Sequence, residues 1–342
     1  MILFPFHTSQ IWNNWGSYYV WGGKNIILSS FVMLINPWFM PLLFVIAGIS
    51  TKYALEKRTS KDYIKERIKK LLIPCISGVL LIVPIMTYFA EKFHNGYDGG
   101  YFNQYILFFT KKTDLSGFTG GFTPGHLWFL LYLFVISLIA LIIVQLKKKY
   151  LEKLHFVSTN TFVLVVLFIV VWAMTYVLNV ADKSFGKYFT LFMFGYYLLS
   201  REDIQDKLEK YRYWLLGICV IVDLFFVCRL EIYGLQNYLY EGMISFVGWT
   251  GILAILGIGK HSLDFSNSMT NYLSRASFPI YMFHLPWIIG IGYVVLRKMS
   301  FLSLQFVVIM ISALFMTLLG YEIVRRIPIV RTLFGIKFDL KI

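Results

Sequence analysis

Three histidines in this 342-residue chain sit where an imidazole could do chemistry. His7 lies in FPFHTSQIW, His284 in FPIYMFHLP, and His126 opens the apolar stretch TPGHLWFLL. Imidazole is the usual general base near neutral pH. A neutral imidazole is also cheap to bury when hydrogen-bonded, so a packing role stays open for His7 and His284. For His126, at the outer end of its stretch, an interfacial position is the simplest reading. His94, His155 and His261 fall in loops and receive no role. No two histidines have metal-ligand spacing, so no metal is expected. Asp223 and Glu241 lie within or near apolar runs, where each could orient a histidine, line a polar cavity or hydrogen-bond a neighbouring helix.

A second chemical feature is cationic. Lys52, Lys57, Arg58, Lys61, Lys65, Arg67, Lys69 and Lys70 crowd into one short stretch and offer a cluster of charge to an anion. Other chemistries lose support. There is no Gly-rich phosphate loop, no G-x-S-x-G nucleophile elbow and no twin-acid pattern, which weakens nucleotide-driven transport and serine hydrolysis.

The elements that must position these residues are membrane helices. The chain is 58% hydrophobic and only 15% charged, against about half apolar and a quarter charged in soluble domains. The expected fold is all-α, a polytopic membrane helix bundle forming a single domain over 1–342. Nine apolar runs are long enough, or nearly so, to span: 26–50, 71–90, 127–146, 161–179, 186–200, 213–228, 238–259, 278–296 and 302–324. The net charge of +14 does not point to nucleic acid, because the cations sit in short loops between apolar runs. With residues 51–70 cytoplasmic, 23 of the 32 Lys and Arg fall on that side, as the positive-inside rule requires. The C-terminus is then cytoplasmic. The first dozen residues read as the last turns of a helix, too few for the roughly 20 needed to cross, so the first span is expected to be truncated or to dip in without crossing. Cys75, Cys219 and Cys228 lie in apolar runs and read as packing residues. Cys219 and Cys228 would face opposite sides of one helix and cannot pair. The outer segment 91–126 and the first 25 residues are rich in aromatics, among them Trp12 and Trp15. They serve either as an interfacial belt or as a platform for stacking sugar rings.

With these pieces in order, the chain resembles the acyltransferase-3 family of membrane proteins. The segments that carry the resemblance are FHTSQIWN around His7, WFMPLLFVIAGIS from Trp38 to Ser50, YIKERIKKLLIP from Tyr63 to Pro74, GHLWFLLYLF from Gly125 to Phe134 and SFPIYMFHLP from Ser277 to Pro286. The W-x-M-P-L-x-F form of the second is most similar to the branch with the periplasmic-glucan acyltransferases. The resemblance implies an O-acyltransferase that takes an acyl group, often acetyl, from cytoplasmic acyl-CoA to a hydroxyl of an extracytoplasmic glycan or similar acceptor, from a bacterial inner membrane. It implies no resident cofactor, acyl-CoA being the donor substrate. It puts His7 in the place of the family's first-helix histidine, as the catalytic base or transient acyl carrier. Arg67 matches the first arginine of the family's R-x-x-R donor pair, and Lys70 replaces the second. Lysine keeps the charge and loses the bidentate fork. Tyr281 and His284 would line the donor side, and Trp12, Trp15, His126 and Trp128 the acceptor side. The family's basic residue about ten positions before the histidine would precede Met1. Two other readings stay open: a secondary transporter, whose mark would be inverted repeats, and an inactive scaffold of the same family.

Overall fold

A computed structural model describes residues 2–151, 160–233, 238–263 and 265–336. The order is α1 (Leu3–Ser9), α2 (Ile26–Lys57), α3 (Ser60–Arg67), α4 (Ile73–Leu81), α5 (Val83–His94), α6 (Tyr101–Thr110), α7 (Trp128–Leu151), α8 (Thr161–Val166), α9 (Phe168–Met174), α10 (Phe185–Phe194), α11 (Glu202–Tyr233), α12 (Tyr238–Ser262), α13 (Ser268–Lys298), α14 (Leu302–Val324) and α15 (Pro328–Leu333). One two-stranded hairpin, β1 (Asn179–Val180) and β2 (Lys183–Ser184), precedes α10. Backbone polar groups have no water to bond in a bilayer, so apolar runs of this length fold as helices.

Seven helical segments among the described residues are long and apolar enough to cross a membrane: Ile26–Lys57, Ser60–His94, Gly125–Leu146, Glu202–Cys228, Tyr240–Ser262, Ser268–Lys298 and Leu302–Val324. They match seven of the nine runs. The other two are shorter: run 161–179 holds α8 and α9, which end at Met174, and run 186–200 holds α10 and one π-helical turn, Gly195–Leu199. Cys219 is buried, but Cys228 is exposed, which corrects its reading as a packing residue. His155, most of the 147–160 loop, the 234–237 loop and the tail after 336 lie outside the described residues.

The single domain expected from the sequence divides into two compact units interleaved along the chain. The first comprises Met1–Val32, Arg67–Leu131 and Ser266–Ile342. Here α13 and α14 pair as a tight antiparallel hairpin, α5 packs on α13, and α1 packs on both α13 and α14. Phe4, Ile11, Trp12, Val20, Met86, Ile288 and Ile309 form its core. The second comprises Met33–Glu66 and Tyr132–Phe265. Its centre is the α11–α12 hairpin, with α9 on α12 and α10 on α9. Glycines let backbones meet here. A Cβ on Gly48 of α2 would lie 2.0 Å from the Phe192 carbonyl oxygen, and one on Gly195 would lie 2.2 Å from that of Val45. Small residues at such crossings are how membrane helices gain van der Waals contact.

Candidate functional site

Every residue singled out for chemistry at donor, acceptor or catalytic positions falls in the first unit. The structure brings three of them together. The rings of His7 and His284 are 4.9 Å apart, and those of His284 and His126 are 5.3 Å apart. Nothing in the sequence groups the three, because they stand on three separate segments of the chain. Only the packing of α1 against α13, and the start of α7 against α13, closes those gaps.

Each ring is held through one nitrogen. In α13, Pro286 has no N–H, so the carbonyl four residues earlier, Met282, lacks its helical partner. His126 Nε2–H donates to that Met282 oxygen at 3.1 Å. The Tyr281 hydroxyl donates in return to the His126 carbonyl. The two bonds clasp α13 to the head of α7. Tyr281 therefore locks the site's walls, a role the sequence did not suggest. His284 Nδ1–H donates to the Tyr281 carbonyl at 2.8 Å. A carbonyl only accepts, so the protons sit on His126 Nε2 and His284 Nδ1. The opposite nitrogens, His126 Nδ1 and His284 Nε2, are buried lone pairs without a hydrogen-bond partner among the described residues. His7 Nδ1 lies 3.0 Å from Gln10 Oε1 and 3.4 Å from the Tyr18 hydroxyl.

Exposure separates the three. His284 is 0% exposed and His126 is buried, whereas His7 is only half-buried. His126 is thus not the interfacial residue expected. His284 also sits deeper than its apolar run suggested: α13 begins at Ser268, so the residue is near the middle of a 31-residue helix. Among the described residues, no carboxylate hydrogen-bonds to these rings. Their hydrogen bonds run to Gln10, Tyr18 and backbone carbonyls, while Asp223 and Glu241 belong to the other unit.

Of the cations, Arg67, Lys69 and Lys70 fall in the same unit as the histidines. α3 ends at Arg67, and a π-helical turn, Ile68–Leu72, carries Lys69 and Lys70 into α4. Such turns recur at functional sites because the widened ring re-aims side chains. Arg67 and Lys70 are half-buried, and Lys69 is exposed. Five residues beyond Lys70, the Cys75 thiol faces the Leu127 carbonyl at 3.9 Å, next to His126. By helix rise, that is roughly 7 Å along the axis from Lys70.

The aromatic residues divide. Trp12 is 1% exposed and packs near Phe306, inside the core. It has no open face for a sugar, which corrects its acceptor-side reading; it supports α1 instead. Trp15 is 49% exposed and Trp128 half-buried. Tyr18 and Tyr19 are buried against Phe118 of the 111–125 loop, with ring separations of 6.2 and 5.0 Å. That loop is anchored rather than loose. Lys111 Nζ donates to both oxygens of buried Glu91, at 2.7 and 2.9 Å, and Gln104 Nε2 donates to the Gly120 carbonyl. His94, given no role from the sequence, meets the Tyr18 carbonyl through Nε2 at 2.7 Å and ties α5 to the same segment.

Among the described residues, no group of three His, Cys, Asp or Glu side chains is arranged to hold a metal ion. What the site offers is a half-buried imidazole, two buried lone pairs beside it, and Arg67 and Lys70 in the same unit. Comparison with known proteins is consistent with that chemistry. Relatives named glucans biosynthesis protein C, from Salmonella typhi and from Salmonella typhimurium strain LT2, are each 24% identical over 98% of this chain and 92% of their own length. The same protein of Salmonella heidelberg aligns equally well. No solved structure matches. The acyltransferase-3 family profile, an acyltransferase domain, matches residues 1–322. A match that runs from before the half-buried histidine of α1 almost to the end of α14, over helices able to cross a bilayer, makes this protein a membrane acyltransferase of the acyltransferase-3 family.

Proposed function

We propose that the protein moves an acyl group, acetyl in the simplest case, from cytoplasmic acyl-CoA to a hydroxyl of an extracytoplasmic glycan. The likeness to proteins of glucan biosynthesis supports a glycan acceptor. The cluster at 52–70 supports an anionic donor, because coenzyme A carries phosphates that ammonium and guanidinium groups bind through charge-assisted hydrogen bonds. Arg67 and Lys70 hold that end, and the thioester reaches along α4 to the histidines. Trp15 and Trp128 offer the acceptor side aromatic surface. The membrane is the plasma membrane of a bacterium, with the C-terminus in the cytoplasm.

The reaction needs one base. The acceptor hydroxyl oxygen attacks the thioester carbonyl carbon, a C–O bond forms, and the C–S bond breaks. The hydroxyl proton passes to His7 Nε2 and from there to the departing thiolate, leaving an ester and free thiol. A route in which His7 first carries the acyl group begins with the same Nε2 lone pair. The observation that carries this reading is the position of His7: it is the half-buried member of the cluster, with Nδ1 already occupied by Gln10. His126 and His284 are too enclosed to meet an acceptor directly, and their free lone pairs suit a hydrogen-bond donor on the bound substrates.

The test is transfer from radiolabelled acetyl-CoA to glucan oligosaccharides by purified protein in detergent. Product is expected with wild type and not with His7→Gln. Transfer at the wild-type rate by folded His7→Gln protein would remove His7 as the base.

A further inference from the structure

The side chain that decides which nitrogen of His7 is free is Gln10, three residues on. α1 ends at Ser9, and a 3-10 turn, Gln10–Trp12, follows it directly. Residues three apart share a face there, so the Gln10 amide comes to the His7 ring, Oε1 to Nδ1 at 3.0 Å. The turn itself is braced. Asn13 is fully buried, and its Nδ2 donates to the Gln10 carbonyl at 2.6 Å and to the Ser17 carbonyl at 3.1 Å. Its Oδ1 accepts from the Gly16 N–H at 2.7 Å, and its carbonyl accepts from Trp21 Nε1 at 3.1 Å. A long amide side chain would normally sample several rotamers. Here its backbone carbonyl is held by a buried asparagine, and its far end meets an imidazole.

An amide oxygen accepts and cannot donate. Facing Nδ1, it holds the proton on that nitrogen and leaves the lone pair on Nε2. The same logic operates wherever a base histidine is oriented by a third group. Resting on the acyl-transfer reading above, we infer that Gln10 is the positioning residue of the reaction, setting the tautomer and angle of His7 from the next turn of the same segment. Asn13 acts one step further back, by fixing the Gln10 backbone. The segment H-x-x-Q-x-x-N thus makes an ordered chain from a buried amide to a reactive nitrogen.

The titratable groups facing His7 are His284 on α13, His126 at the head of α7, and Tyr18 in the segment after α1. On α14, which α1 also touches, no titratable side chain among the described residues hydrogen-bonds to it. A carboxylate at position 10 would therefore be the one anion placed on Nδ1. It would favour the imidazolium, which cannot accept a proton, so activity would be lost at a higher pH on the acid side.

The experiment combines two readouts on purified protein. 15N spectra of histidine-labelled protein, with His7→Ala identifying the signal, report the tautomer without reference to activity. Wild type is expected as Nδ1–H, and Gln10→Leu is expected to lose that preference. In the acetyl-CoA assay, Gln10→Leu should lower kcat on the order of 10²-fold with KM for acetyl-CoA unchanged. Gln10→Glu should retain turnover, with the acid limb of its kcat profile moved to higher pH. A residue that merely packs would give neither the tautomer change nor the moved limb. Nε2–H in wild-type His7, or an unmoved limb in folded Gln10→Glu protein, overturns the inference. His7→Ala separates the two levels. If that protein is inactive and the limb in Gln10→Glu stays put, Gln10 alone falls. If it still transfers, the base reading falls and Gln10 with it.

Discussion

His126 and His284 differ from His7 in what their removal should do. His126 satisfies a carbonyl that Pro286 leaves without a helical partner. His126→Phe would keep the ring and orphan the Met282 oxygen, at a cost of about 1–3 kcal/mol for a buried unsatisfied group. A lower thermal midpoint in detergent is the expected result, and an unchanged one would mean that Met282 finds another donor. His7→Ala touches no such bond. It should leave the midpoint close to wild type while transfer falls by about 10²–10⁴-fold, the usual contribution of a base. His284→Ala should fall between, with less loss of transfer than His7→Ala. Among the cations, Arg67→Ala and Lys70→Ala should each weaken acyl-CoA binding, by on the order of 2–5 kcal/mol where a semi-buried cation is taken from its anion. Lys70→Arg should be tolerated or improve it, since the guanidinium restores a bidentate fork. Equilibrium binding of acetyl-CoA measures this, and unchanged affinity in both alanine variants would place the donor elsewhere.

At the scale of elements, prolines and glycines do what apolar content cannot. Pro279 and Pro286 lie inside α13 and flank the Tyr281–His284 turn, so the stretch that carries the site is also where the helix has carbonyls to spare. In the second unit, the α2–α10 crossing depends on Gly48 and Gly195. Ala at either would drive a methyl carbon to 2.0 or 2.2 Å from a backbone oxygen. Backbone cannot rotate away as a side chain can, so overpacking of about 1–3 kcal/mol or more follows. Gly48→Ala should lower the yield of monodisperse protein and its thermal midpoint. A wild-type midpoint would show that α2 and α10 can separate at little cost. The 111–125 loop gives a third element-level case. Glu91 holds Lys111 through two short bonds from a buried position. In Glu91→Gln the loop should show faster amide exchange than in wild type.

For the whole molecule, the proposed orientation rests on the distribution of charge. The two runs that fold shorter than spans, 161–179 and 186–200, are neighbours in the chain. Counting both or neither leaves the alternation of every other loop unchanged, so the proposed topology, with 51–70 cytoplasmic, is the same for nine runs as for the seven long helical segments among the described residues. Cysteines introduced at Lys61 and Arg326 should be protected from an impermeant reagent in intact cells, and one at Asp98 should be labelled. Labelling at Lys61 from outside would reverse the orientation and put the cation cluster on the wrong side for a cytoplasmic donor.

How much of this is legible in the sequence depends on the range of the interaction. The presence of membrane helices, and their number within two among the described residues, follow from local composition, because each helix satisfies its own backbone. His7 and the Arg67–Lys70 pair are singled out on a related ground: each stands in a short motif contained in a few neighbours, and their proposed roles await the tests above. The H-x-x-Q spacing is equally local and could have been read from helix periodicity, with Gln10 three residues from His7 on the same face. The grouping of His7 with His126 and His284 is not legible, nor is the burial of Trp12. An aromatic ring near an interface can point to solvent or to the core, and only the packing of α1 on α13 and α14 chose the core. His126 looks interfacial because its stretch opens an apolar run, yet the Pro-freed carbonyl that binds it lies 156 residues away. Segment identity is thus written in the chain, while the meeting of three imidazoles depends on side chains from distant segments filling one core, which the local pattern does not encode.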